Sequence, residues 1–148
     1  MNYETKYHGN IEVNETEIVV FENGLPGFEE NKKFILLPLD TESPFLILQS
    51  LEERDLGFVV IEPFLTFPNY EFDLSESIVE KLQLEDKNDS IVFNILSIKE
   101  PFEQTTVNLQ APVIVNKNKR LGRQVILNDY KYNSRHLLNE YSSLREER

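Results

Sequence analysis

The chain has 148 residues, enough for one domain that buries roughly two-thirds of its unfolded surface. With no cysteine it has no disulfide, thiolate metal site or cysteine nucleophile, and 40% hydrophobic against 28% charged residues suits a folded globular protein. The formal net charge of −11 is unevenly held: residues 1–115 carry 22 acidic and 7 basic side chains, residues 116–148 carry 4 and 8, so the body repels phosphate backbones and favours a basic protein partner over direct nucleic-acid binding.

In chain order, short runs rich in Val, Ile and Phe, most of them bounded by Gly, Pro, Asn or Asp, predict strands over 16–21, 33–39, 45–50, 56–61, 90–98, 113–116 and 124–127. His8 falls in a presumed N-terminal strand. Between the first two runs, Gly24 and Gly27 bracket Leu25-Pro26, a loop that reaches positive φ on both sides of a proline. One internal helix is expected, with Asp73 as N-cap, Glu76 completing a capping-box-like pair, and Leu74, Ile78 and Leu82 forming one apolar stripe that covers an open end or edge of the sheet. Pro112 breaks a strand-like run, so that strand lies at an edge or carries a bulge. Residues 116–122 read as the hairpin loop between the last two strands. A second helix is expected from Ser134 to about Leu144. The predicted fold is all-β and mainly antiparallel: a small closed barrel or barrel-like sandwich with one or two short helices. It occupies residues 1–127, and residues 128–148 form a C-terminal tail.

Reaction chemistry finds little support in the sequence. Histidine, the usual base at neutral pH, occurs only at His8 and His136. The Gly24–Gly27 loop lacks the Lys and Ser or Thr of a phosphate-cradling loop, and residues 85–89 lack the glycine and terminal glutamate of a calcium loop, so they read as a solvated turn. No apolar run approaches the ~20 residues of a membrane-spanning helix, and residues 1–6 lack the basic-then-apolar pattern of a signal peptide, so a cytoplasmic location is expected. No cofactor or metal is expected.

Candidate binding residues are instead aromatic and acidic. Phe28, Glu29 and Glu30 follow the Gly-Leu-Pro-Gly loop. Phe64, Phe67 and Tyr70 sit in a proline-marked loop followed by Glu71 and Asp73, and Phe102 follows Pro101. Such aromatics either plug the ends of a small barrel or anchor a protein partner. Asn108 and Gln110, beside Pro112, either bind or satisfy backbone groups where the strand breaks.

Several phrases in one order carry a resemblance: Thr5 to Gly9, Gly24 to Glu30, Phe34 to Pro38, Pro44 to Ser50, Pro63-Phe64 with Tyr70, Lys99 to Phe102, Asn108 to Asn116, and Gly122 to Leu127. Together they resemble the flagellar assembly factor FliW family. That resemblance implies a non-enzymatic regulator that binds cytoplasmic flagellin and, once flagellin is exported, binds and antagonises the translational repressor CsrA without occupying its RNA site. Flagellin synthesis would thereby be coupled to secretion. Two rivals remain open at this point: a small-molecule-binding barrel or enzyme, which needs a deep polar pocket, and an acidic mimic of nucleic acid, which needs evenly spaced carboxylates along one face.

Overall fold

The structure is a computed structural model that describes residues 1–128 and 131–138. Among the described residues its strands are β1 (Asn2–Thr5), β2 (Gly9–Glu12), β3 (Val19–Val20), β4 (Lys33–Pro38), β5 (Leu46–Ser50), β6 (Gly57–Ile61), β7 (Ser90–Ser97), β8 (Thr106–Val107), β9 (Val113–Asn116), β10 (Leu121–Gln124) and β11 (His136–Leu137), and the internal helix is α1 (Glu76–Lys81). β1 and β2 form a separate hairpin. The others run β11-β8-β7-β6-β5-β4-β3-β10-β9, and β9 pairs back onto β7. Seven strands, β3 to β7 with β9 and β10, therefore close on themselves. Every pairing in that ring is antiparallel except β3 with β10. The expected all-β barrel is the observed fold, and closure removes the unpaired edges that an open sheet of this size would present.

Period-two alternation sorts the side chains into two cores. Phe34, Leu48, Val60, Phe93, Val113 and Val115 join Val19, Phe21 and Leu25 in one buried cluster. Neighbours of opposite parity, among them Ile61 and Leu96, join Phe67, Tyr70, Val107, Leu109, Leu127 and Leu138 in a second. The second core lies between the β6–β7 wall and a layer made by residues 63–72, β8 and the segment leading into β11.

Pro112 marks a bulge and not an edge. β7 advances three residues from Leu96 to Phe93, whereas its partner advances six from Val107 to Val113, so three extra residues are extruded between β8 and β9. Side chains satisfy that break. Asn108 Oδ1 accepts from Ala111 N at 3.0 Å, Gln124 Nε2 donates to Ala111 O at 3.1 Å, and Asn94 Nδ2 donates to Asn108 O at 2.8 Å.

Several elements differ from expectation for local reasons. Residues 16–18 do not begin a strand, because Asn14 N donates to Glu17 Oε1 and Glu17 N to Asn14 O, which winds Glu15–Glu17 into a 3-10 turn before β3. His8 lies in the β1–β2 turn and not in a strand. Its Nε2 is 2.7 Å from Pro38 O. The helix is capped by Ser75, not Asp73: Ser75 is extended at φ −66°, ψ 157°, and its Oγ accepts from Ile78 N. Glu76 is consequently the first helical residue and not the third. The last barrel strand is 121–124 and not 124–127, since Arg120, at φ 57°, closes the turn by bonding its N to Asn116 O at 2.8 Å. Val125 and Leu127 still pair across the bulge with Pro112 O and Gln110 O. The helix expected from Ser134 is absent over 134–137, where β11 pairs with β8; residues 139–144 lie outside the described residues.

Candidate protein-binding surface

The Gly24–Glu30 loop folds tightly on itself. Phe28 N donates to Leu25 O at 2.7 Å, and a Cβ on Gly24 would meet Glu29 Cα at 2.6 Å, so that position admits only glycine at its φ of 64°. Leu25 is buried, which pins the loop to the barrel, while Phe28 is 39% exposed and rests edge-on against Phe58 at 5.3 Å. Glu29 and Glu30 are exposed beside it.

The other aromatic candidates divide. Phe67 and Tyr70 belong to the second core, whereas Phe64 (47% exposed) and Phe102 (43%) face solvent, the latter edge-on to Phe45 at 6.1 Å. Tyr70 Oη donates to Leu109 O at 2.7 Å and accepts from Asn94 Nδ2 at 3.2 Å. Burial pushes its phenol up to about 12, against the opposing hydrogen bond from Asn94. Asn94 Oδ1 is buried without a hydrogen-bond partner.

Tyr70 and Glu71 stand between two clefts. One, of about 730 Å³, is lined by Phe67, Tyr70, Glu71, Lys131, Tyr132 and His136 among others. Its wall is tied together by Tyr132 Oη, which accepts from Glu71 N at 3.0 Å, and by His136 Nε2, which accepts from Asn133 N at 2.9 Å. The second cleft, of about 620 Å³, has an apolar floor from Phe72, Val79, Leu84, Val92 and Ile114, with Phe64 and Tyr70 alongside, and carries Glu71, Asp73, Glu85 and Asp86. Among the described residues no Lys, Arg or His lines it. The fold therefore gathers Phe64, Tyr70, Glu71 and Asp73 around one opening. It leaves Phe28, Glu29 and Glu30 at the first core, and Phe102, Asn108 and Gln110 line neither cleft.

Sequence reasoning missed Glu85, Asp86, Leu84, Lys131, Tyr132 and His136 as cleft residues. The solvated acidic turn at 85–89 carried a usable signal: Asp89 Oδ2 accepts from both Glu85 N and Asp86 N at 3.0 Å, fixing that turn. Tyr132 carried none, because its place depends on a chain reversal 61 residues from Glu71. Among the described residues no group of three or more His, Cys, Asp or Glu is placed to hold a metal ion, and no helix is long and apolar enough to cross a membrane.

Comparison with known proteins identifies the lineage. The family model described as FliW protein matches residues 2–138. This chain belongs to the FliW family. The flagellar assembly factor FliW of Geobacillus sp. (strain WCH70) is 52% identical over 138 residues, covering 93% of this chain and 95% of that relative. The one from Bacillus pumilus (strain SAFR-032) is 50% identical over 143 residues, covering 97% and 99%. A solved structure described as the crystal structure of the flagellar assembly factor FliW superposes with a TM-score of 0.88 at 50% identity, covering 93% of this chain and 96% of that one.

Proposed function

We propose that this protein is a non-enzymatic, cytoplasmic regulator of flagellar assembly that binds newly made flagellin and, when free of it, binds CsrA and relieves its repression of the flagellin message. The observation that carries the reading is membership of the FliW family along residues 2–138, with relatives called flagellar assembly factors at about half identity. The surface supports it in kind. An acidic body offers long-range attraction to a basic RNA-binding protein without itself attracting RNA, and exposed Phe28, Phe64 and Phe102 offer apolar anchors to a flagellin chain. Exclusive binding of two partners requires overlapping surfaces or a coupling between them.

Calorimetric titration with CsrA from the same organism, repeated after saturation with flagellin, tests the proposal. Binding that flagellin abolishes, and that weakens as salt rises through the moderate range, is expected. Failure to bind either protein overturns the reading. Salt-independent binding to CsrA removes its electrostatic half.

A further inference from the structure

The second cleft combines three properties that together specify an occupant. Its floor is apolar, built by the half-buried Phe72, Leu84 and Val92 among others, and Phe64, 47% exposed, stands at its side. Four acidic residues, Glu71, Asp73, Glu85 and Asp86, line it, and among the described residues no basic residue lines it and no ion pair engages any of the four. Finally, the backbone that carries them is braced. Asn116 Nδ2 donates to Leu82 O at 2.8 Å and Gln83 O at 3.1 Å, locking the end of α1 onto β9; Asp89 Oδ2 holds residues 85 and 86, and Tyr132 Oη holds Glu71 N.

Carboxylates that no ion pair engages among the described residues, set around an apolar floor, gain from a ligand that buries hydrocarbon while bringing cations to the rim. A braced rim loses little side-chain and loop entropy when that ligand arrives. At about 620 Å³ and open to solvent, the cleft takes a few side chains of a longer chain and does not enclose a molecule.

We infer that the cleft between residues 64–74, α1 and the 84–86 turn is a docking groove for a cationic amphipathic segment of a partner protein, with Leu, Ile or Val side chains on its floor and Lys or Arg at Glu71, Asp73, Glu85 and Asp86. This rests on the reading that the protein works by binding other proteins, but it names a place and a chemistry that the reading does not. Occupancy of this groove touches Tyr70 and Glu71, which also form the wall of the neighbouring cleft, so the segment reports to both.

The test uses a fluorescein-labelled amphipathic peptide of Leu and Lys, with a Leu and Glu peptide of the same pattern as control, titrated by anisotropy at about 0.15 M salt, where bulk attraction is screened beyond about 8 Å. The full chain should bind the Leu and Lys peptide and not the control. Phe64→Ala should weaken binding at least fivefold, and Glu71→Lys with Glu85→Lys at least tenfold. The reversal Glu12→Lys with Glu42→Lys, which changes net charge equally on exposed positions elsewhere, should change it less than twofold. Circular dichroism melts of each variant keep loss of fold from counting as loss of binding. Equal effects of the two charge reversals, or no effect of Phe64→Ala in a folded variant, overturn the groove assignment. Peptide binding with these properties, in a protein that binds neither flagellin nor CsrA, upholds the groove and overturns the partner reading instead.

Discussion

The sharpest steric demand in the barrel is at Gly122, and Gly122→Ala makes it measurable. A Cβ there would lie 2.5 Å from Phe21 Cζ and 2.8 Å from Cε1 and Cε2. Carbon pairs normally settle at about 3.5–4.0 Å, so the ring must retreat by roughly 1 Å. It has nowhere to go: Phe21 is fully buried, packed edge-on against the equally buried Phe34 at 5.2 Å, inside a cluster that fills the barrel. Overpacking costs about 1–3 kcal/mol, and a ring with no exit belongs at about 3 kcal/mol. In urea, with a slope of about 2 kcal/mol/M, the midpoint should fall by about 1.5 M, and the thermal midpoint by roughly 6–12 °C. Phe21→Leu removes the obstructing ring edge, so in that background Gly122→Ala should cost less than about 1 kcal/mol. The double-mutant cycle isolates that coupling. A single-variant cost under about 0.5 kcal/mol, or the same cost in both backgrounds, would refute the argument that ring and backbone compete for one space.

Further outcomes follow from individual contacts. Tyr70→Phe removes the donor to Leu109 O and should cost about 1–2 kcal/mol in denaturant melts. Because the folded phenol titrates near 12 and the unfolded one near 10, the native state holds its proton longer; the stability this contributes is complete below pH 10 and is lost as pH rises toward 12, so the wild-type loss between pH 10 and 12 should exceed that of Tyr70→Phe. Ser75→Ala should destabilise by about 0.5–1 kcal/mol while Asp73→Ala changes stability by less than about 0.5 kcal/mol, and the reverse order would restore Asp73 as the cap. Gln49 is buried; its Oε1 accepts from Lys6 N and the two N–H groups of its Nε2 are shared among Ser50 O, Arg54 O and Leu56 O, so Gln49→Leu should cost about 2 kcal/mol and accelerate amide exchange at Lys6.

Strands β4 to β7 and β9 were legible because each is a run of Val, Ile, Leu or Phe between turn residues. At the N-terminus one strand through His8 was expected, and the β1–β2 hairpin was not, since Asn2–Glu12 lacks such a run; it is held by polar contacts such as Thr5 Oγ1 to Gly9 O at 2.8 Å and Lys6 N to Gln49 Oε1. Two-residue strands such as β8 and β11 have no periodicity to detect. The helix boundary slipped because Asp73 and Ser75 are both good caps and only tertiary placement chooses between them. Pro112 announced an irregularity, but whether it became an edge or a bulge was decided by β9 returning to β7 and closing the barrel.

The candidate surface was half legible for a related reason. Residue type flagged Phe64, Glu71 and Asp73, but a cleft exists only where distant segments meet, and Glu85, Leu84 and Ile114 arrive there from α1's far end and from β9. The barrel interior is filled by Phe21, Phe34, Phe93 and their neighbours, so the proposed recognition uses the outer layer. There Tyr70 lines both clefts, and its hydroxyl is bonded to the bulge carbonyl of Leu109 and to Asn94 of β7. Two ligands that each press on Tyr70 and Glu71 either collide or act on the same side chain, and either route makes the binding of one depend on the other. Only the second route needs the Tyr70 hydroxyl. Tyr70→Phe should therefore loosen competition between ligands of the two clefts if they are coupled and leave it unchanged if they overlap.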